Sequence, residues 1–358
     1  MALTAPRTVR PAGREDVAEL LREATAGGRT VRVVGGGTAS RRGRPAPPPD
    51  LVLSTAGLDR VLVHEPADLT VTVEAGADAA ELQERLARAG QSWAQADDRP
   101  GATVGGLLAT AASGRRRLRH GALRDAVLEM VLCTGDGRLV RSGGRTVKGV
   151  AGYDLHRLAV GALGTLGVIV EVTLKLWPRP TASAWFGARG DTAAMAALGE
   201  DVRRRLHRPA AILLGPGRLD VELVGPAADV VAPPGLVPSD GPDPPAAPGR
   251  VEAGVPPTAL PAFAAGLARL GLAFQAQLGV GTCAVGVAAP DEVAAVRGAA
   301  IALGGHAQVV DGPEALRADP WGPPPPGVEV MRRLRDAFDP GHVLNPGLFV
   351  GDAGPAAR

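Results

Sequence analysis

Residues 99–121, RPGATVGGLLATAASGRRRLRHG, set Gly101, Gly105, Gly106 and Gly114 among small residues and follow them with Arg115, Arg116, Arg117 and Arg119. Glycine lets backbone come close to a ligand and adopts positive φ at little cost. Successive N–H groups in such a turn form a nest that binds anions. Residues 107–112 read as a short apolar helix, whose N-terminus adds partial positive charge at the same place. The chemistry on offer is a phosphate cradle with cations behind it. A glycine-rich loop beside a solvated arginine cluster is the other reading of the same residues.

A second glycine run supports the first reading. A short β-branched strand over 30–34 passes directly into Gly35, Gly36, Gly37 and Thr38. Residues 41–45, RRGRP, read as loop, and a further strand over 51–54 comes too soon for a βαβ unit. This is therefore no dinucleotide fingerprint. It is either a phosphate grip between two strands or a plain hairpin turn. In a third block, residues 142–177, Arg145, Lys148 and Tyr153 put two cations and the only tyrosine within nine positions, beside tight glycine turns. They are weak candidates to stabilise a developing negative charge, as is His120; surface ion pairs are the plain alternative. His64, His156, His207, His306 and His342 have no neighbour in sequence that makes a base or a metal site, and are expected on the surface or in the core.

The elements that must hold these residues follow from periodicity and punctuation. Val17, Leu20, Leu21 and Ala24 share one face of a helix over 14–26 that Gly27 and Gly28 end. Strands are expected over 60–63 and 69–74, then a helix started by Asp78 and Glu81 and closed by Gly90. Strands over 127–133 and 139–141 flank the turn Thr134-Gly135-Asp136-Gly137. Asp154 is placed to cap a helix over 155–160, and 168–176 reads as a strand. Trp177-Pro178-Arg179-Pro180 reads as a domain boundary. Beyond it come helices over 193–207, 260–270 and 290–303, a hairpin over 212–224, and two strands within 273–287. Residues 232–257, rich in Pro, Gly and Ala, read as a long surface loop. A helix over 328–338 precedes Asp339-Pro340-Gly341-His342-Val343-Leu344-Asn345-Pro346-Gly347.

Composition narrows the class. The chain has 358 residues, enough for two domains, and a net charge of +2, too near neutral for a nucleic-acid partner. Cys133 and Cys283 are far apart and neither is in a CxxC, so no metal or disulfide framework is expected, and a reducing, cytoplasmic compartment is the default. No run of about 18 apolar residues occurs to span a membrane.

The pieces VVGGGTAS (33–40), PGATVGGLLAT (100–110), RRLRHGALRD (116–125), VKGVAGYDLHRLAVGALGTLGVIVEVTLKL (147–176) and WGPPPPGVEVMRRLRDAFDPGHVLNPGLF (321–349) together resemble the FAD-binding oxidoreductases of the vanillyl-alcohol oxidase, or PCMH-type, superfamily. They are most similar to the E subunits of bacterial glycolate oxidases. The resemblance implies an α+β fold: a two-subdomain FAD domain over 1–180, an α+β cap over 181–327 containing the loop 232–257, and a segment over 328–350 returning to the FAD domain. It implies that Gly35, Gly36, Gly37 and Thr38 take the pyrophosphate of FAD, and that Pro100, Gly101, Thr103, Gly105, Gly106, Ser113 and Gly114 line the phosphates and flavin. Val168 and Ile169 would meet the adenosine side, and Asn345 the flavin edge.

Three departures from the family pattern carry weight. Gly37-Thr38 stands where some relatives attach flavin through a histidine, so the FAD is expected to be non-covalent. His120 stands where a tyrosine is usual. The HxGDGNxH metal run of related dehydrogenases is missing, its counterpart being LGVGTCAVGV at 278–287, so no metal is expected. The implied function is that of an FAD-binding, electron-carrying subunit of a glycolate oxidase-like complex. Its partners would be a catalytic flavoprotein subunit and an iron–sulfur subunit, its substrate a small 2-hydroxy acid, and its location cytoplasmic, either free or peripheral at the inner membrane through its partners. A self-sufficient FAD oxidase or dehydrogenase, and a non-catalytic scaffold that keeps the fold, are the alternatives.

Overall fold

A computed structural model describes residues 6–144 and 153–352. The strand Val168–Lys175, VIVEVTLK, is buried at seven of its eight positions. Such a strand must be covered on both faces, and it is the middle of a five-stranded antiparallel sheet. The order is Val61–Glu65, Thr70–Glu74, Val168–Lys175, Val127–Cys133, Leu139–Gly143. Ile169, Val172 and Leu174 pack with the helices Ala79–Arg88 and Val104–Thr110. Val168 and Val170 face the other way, onto the helix Arg14–Ala26 and a three-stranded parallel sheet. That small sheet runs Arg7–Val9, Leu51–Ser54, Val31–Val34. The parallel pairing of Val31–Val34 with Leu51–Ser54 rules out the hairpin reading of the glycine run between them.

Beyond Pro180 lies an eight-stranded antiparallel sheet. Its order is Val237–Ser239, Ala182–Arg189, Arg218–Gly225, Ala211–Gly215, Phe274–Gln277, Thr282–Val287, Gly249–Gly254, His306–Asp311. The pattern is a clean alternation. Val251 and Ala253, with Cys283 and Val285, Phe274 and Ala276, and Ala307 and Val309, form one apolar face. The helices Thr192–Arg205, Leu260–Arg269 and Pro290–Ala302 cover it.

Of the intervening residues on the same strands, Glu252, Gln275, Gln277, Thr282 and Gln308 are polar and lie on the opposite face, which leans on the first half of the chain. Arg116 meets Glu222 there with Nη2 at 2.6 Å and Nε at 3.1 Å, and Arg41 pairs with Asp311 at 2.6 Å. Arg317 donates to the Gly43 carbonyl at 3.2 Å.

The chain then returns. Phe338, at the end of the helix Val328–Phe338, packs on the five-stranded core. Val343 and Leu344 are buried beside Val31. Asp339, fully buried, accepts from the Val343 and Leu344 amides at 3.1 and 2.9 Å.

Three expectations need correction. Residues 232–257 are no structureless loop: Gly249–Gly254 is an interior strand of the larger sheet, and Val251 is completely buried. Its apolar–polar alternation, GRVEAG, is short and was masked by the prolines before it. The helix expected over 107–112 is Val104–Thr110, because Thr103 accepts from the Gly106 amide and so starts it earlier. Asp154 precedes the helix Leu155–Ala159, but its side chain makes no capping bond.

The Arg116–Glu222 pair generates a prediction. Glu222 is nearly completely buried, whereas Arg116 keeps part of its guanidinium in solvent. Removing one partner strands the other, and the stranded group that is more buried costs more. Arg116→Leu is therefore expected to destabilise more than Glu222→Leu, with Glu222→Leu costing about 2 kcal/mol. Urea midpoints of the two variants check both the loss and its order.

Candidate functional site

The two glycine loops meet, and they meet through missing side chains. A Cβ on Gly36 would lie 1.6 Å from the Gly101 carbonyl oxygen, and one on Gly35 would lie 2.2 Å from Thr103 Oγ1. At Gly36 backbone packs on backbone and at Gly35 backbone packs on the Thr103 side chain, contacts that no other residue permits. Gly37 is different: it has φ of +75° and faces open space. Among the described residues the amides of Gly36, Gly37, Thr38 and Ala39 have no acceptor within the protein. Four outward-facing donors in succession form a nest.

They border a cavity of about 360 Å³, whose wall continues through Thr103, Gly105, Gly106, Thr110, Val168, Ile169 and Asn345. Two arginines line it as well. Arg32 donates to the Pro346 carbonyl, and Arg42 to the Thr110 carbonyl at 3.3 Å. Neither has a carboxylate partner among the described residues, and Arg42 Nε is buried without any acceptor. Burial pulls both guanidinium pKa values below the ordinary value; for Arg32 the nearby Arg317 adds to this. A guanidinium stays charged in any case, so two of them desolvated at one cavity call for an anion. Nest, paired cations and an apolar wall of Ala75, Ala109, Leu163 and Ile169 fit the pyrophosphate and ring system of FAD.

The individual placements refine the expected roles. Gly105 lines the cavity, but its amide donates to the Ala75 carbonyl at 2.7 Å and its Cα packs on Ala75. It is a packing glycine as much as a lining one. Thr103 caps the following helix. Asn345, with φ of +47°, accepts from the Val33 amide at 2.9 Å and donates to the Leu163 and Gly164 carbonyls at 3.2 and 2.9 Å. Its amide group is spent on clamping the C-terminal segment to the strand Val31–Val34 and to the loop at Leu163 and Gly164, which makes it a positioning residue. Ser113 lines a neighbouring cavity, while Pro100, Gly101 and Gly114 line neither.

The arginine run does not stand behind the cradle. Arg115 pairs with Asp98 and Arg116 with Glu222, and Arg119 donates to the Arg208 carbonyl; Arg117 lines the neighbouring cavity. The cations at the cradle are Arg32 and Arg42, which sequence reasoning passed over. Their signal was placement, one in the strand before the glycine run and one just after it.

The weak catalytic candidates fall apart in space. Tyr153 is 91% exposed and lines neither cavity. Arg145 and Lys148 lie outside the described residues. His120 packs edge-on against Trp177, with centroids 4.8 Å apart, in a separate pocket that Arg116, Arg119, Arg179 and Arg208 also line. Burial, then the charges of Arg119, Arg116 and Arg208, push its pKa down to about 4.

Beside the first cavity lies a second of about 570 Å³, and Arg42, Thr110, Leu163 and Leu348 border both. Its far wall is the polar face of the larger sheet, with Glu252, Gln277, Thr282, His306 and Gln308. His306 is exposed, as expected, and also lines this cavity. Its place could be read only once Gly254 was paired with it across the sheet. Cys283 points to the opposite, apolar face, fully buried with its thiol pKa raised by burial, and is no base.

Residues 5–143 match the family model described as an FAD binding domain. A D-lactate dehydrogenase of Archaeoglobus fulgidus is 36% identical over 184 residues, which is 49% of this chain and 41% of that protein. The glycolate oxidase subunit GlcE of Escherichia coli is 40% identical over 125 residues, 34% of this chain and 36% of that one. A mitochondrial D-lactate dehydrogenase (cytochrome) of Arabidopsis thaliana is 35% identical over 170 residues, 48% and 30% of the two chains. The matches thus span less than half the length of these relatives. A solved alkyldihydroxyacetonephosphate synthase shares the fold, with a TM-score of 0.65 over 95% of this chain and 76% of that one at 16% identity.

Two predictions follow from this geometry. Gly36→Ala drives a methyl into the Gly101 carbonyl and is expected to reduce bound FAD at least tenfold, while Gly90→Ala, at positive φ but with nothing within 4 Å, retains it; flavin absorbance per protein after gel filtration reads both. His120 is held neutral in the fold, so the unfolded chain takes up its proton first as pH falls. Stability from this group is full above about pH 6.5 and is lost between there and about pH 4. Across that window the melting temperature of the native chain is expected to fall further than that of His120→Gln.

Proposed function

We propose that the chain, whose residues 5–143 match an FAD binding domain, is an FAD-dependent oxidoreductase and the FAD-holding, electron-carrying subunit of a 2-hydroxy-acid dehydrogenase complex of the glycolate oxidase kind. The observation that carries this reading is the shared wall of the two cavities. A group held by the nest and Arg32 borders directly on a second, polar chamber, with Arg42 on the wall between them. FAD supplies, when bound, the acceptor for a pair of electrons.

The chain's own residues do the rest. Gly36 to Ala39 and Arg32 hold the anion. Leu163, Ile169 and Leu348 exclude water. Arg42 sets a positive charge at the boundary, where a substrate carboxylate or a negatively charged ring would gain from it. The likeness to the subunit GlcE supports the assignment to a complex, whose other members would be a catalytic flavoprotein and an iron–sulfur protein. No helix among the described residues is long and apolar enough to cross a membrane, and we place the complex in the cytoplasm, with any membrane contact made by its partners.

A second reading, a self-sufficient dehydrogenase, is favoured by His306. Oxidising an alcohol needs a base for the hydroxyl proton, and His306 is a nitrogen base on the wall of the second cavity. Against it, the imidazole makes no hydrogen bond among the described residues that would fix its orientation, whereas a working base is oriented by a third group.

Two measurements test the proposal. Acid precipitation is expected to release all flavin into the supernatant, since Gly37 and Thr38 stand where an attachment residue would be; flavin left in the pellet refutes non-covalent binding. Glycolate-dependent dye reduction is expected to be slow for the purified chain and fast for material co-purified with its partners. Equal rates would establish the self-sufficient reading.

A further inference from the structure

The second cavity is larger than a two-carbon acid needs. Its volume, about 570 Å³, lies within the ~300–1,000 Å³ range that takes whole drug-sized ligands. Its floor is ordered by strand register. Gln277 pairs with Thr282, Thr282 with Gly254, and Gly254 with His306, so these four form one row across four strands. Three strand spacings of about 4.8 Å make that row roughly 14 Å long. Glu252 and Gln308 are paired two residues further along the same face and start a second row.

In the first row Gln277 Oε1 and Thr282 Oγ1 are buried with no hydrogen-bond partner, and Trp321 Nε1 and Arg42 Nε on the surrounding wall are in the same condition. Leaving a polar atom buried and unpaired costs about 1–3 kcal/mol, so four around one cavity argue for a ligand that pairs with them. The glycine in the middle of the row agrees. A side chain at Gly254 would come within 2.7 Å of the His306 ring, and glycine inside a strand marks a place of close approach.

We propose that this row is a track for the hydroxylated tail of a 2-hydroxy acid longer than glycolate, an aldonate-like polyhydroxy carboxylate. Its carboxylate end lies at Arg42, beside the FAD cavity, where the bond to be oxidised must be. Its hydroxyls run along Gln277, Thr282 and Glu252. Gln277 and Thr282 both accept and donate and Glu252 accepts, as a polyol requires, whereas a two-carbon acid has no further hydroxyl to offer them. The proposal rests on the reading of this chain as the FAD subunit of a 2-hydroxy-acid dehydrogenase and names the substrate class within it.

Isothermal titration of the FAD-loaded chain with D-gluconate and with glycolate tests it without turnover. Gluconate is expected to bind at least tenfold more tightly, the worth of one or two neutral hydrogen bonds. The double variant Gln277→Leu/Thr282→Val is expected to bring gluconate down to the glycolate level. Should the double variant not fold by circular dichroism, the near-isosteric Thr282→Val alone is expected to remove part of the advantage. Equal affinities, binding of neither acid, or an advantage that survives the variants would overturn the proposal. A gluconate preference in a chain that co-purifies with no partner would uphold the track and remove only the assignment to a complex.

Discussion

Everything at the site depends on two loops touching where one of them carries no side chains. Gly35 and Gly36 sit against Thr103 and the Gly101 carbonyl at distances that exclude a methyl group. That contact turns the amides of residues 36–39 outward, because the inner side of the loop is occupied by another main chain. It also fixes where the flanking cations go: Arg32 lies one turn of chain before the loop and Arg42 a few residues after it, and both face the same cavity. A nest of this kind is strong only where water is excluded. The continuous burial of Val168–Lys175 and the covering helices supply that exclusion.

The second constraint is the two-faced character of the larger sheet. One face is an ordinary apolar core. The other carries charged and amide side chains, and it is kept from bulk solvent by leaning on the FAD domain. The Arg116–Glu222 pair does little for affinity of any ligand. It ties the larger sheet to the segment that follows the second glycine loop. A buried pair of this sort is weak evidence for net stability but strong evidence for a fixed arrangement, since either partner alone would be stranded. Two members of the arginine run that looked like a phosphate site, Arg116 and Arg119, thus reach across to the second half of the chain.

The C-terminal segment closes the arrangement. Asp339 holds the turn by accepting from two backbone amides, and Asn345 ties that turn to the strand Val31–Val34 on one side and to the loop at Leu163 and Gly164 on the other. The segment therefore reports on the integrity of the cofactor cavity although it is more than 300 residues away in sequence from the first glycine loop. It lines that cavity, but its amide group is used for tethering.

The sequence by itself determined the class of chemistry and the elements of the first domain. Glycine runs, strand periodicity and turn residues are local signals, and they were legible because the physics behind them, positive φ and side-chain alternation, acts within a few residues. The FAD family was legible for the same reason, through Gly35 to Thr38 and the blocks around Gly105 and Asn345. Tertiary structure alone decided which cations serve the cradle, since Arg32 and Arg115 look alike in a sequence and differ only in what they face. It alone made Gly249–Gly254 an interior strand, because a six-residue segment becomes a strand through partners on both sides. It alone brought His306, Gly254, Thr282 and Gln277 into one row, since strand register is a relation between segments far apart in the chain and no local pattern encodes it.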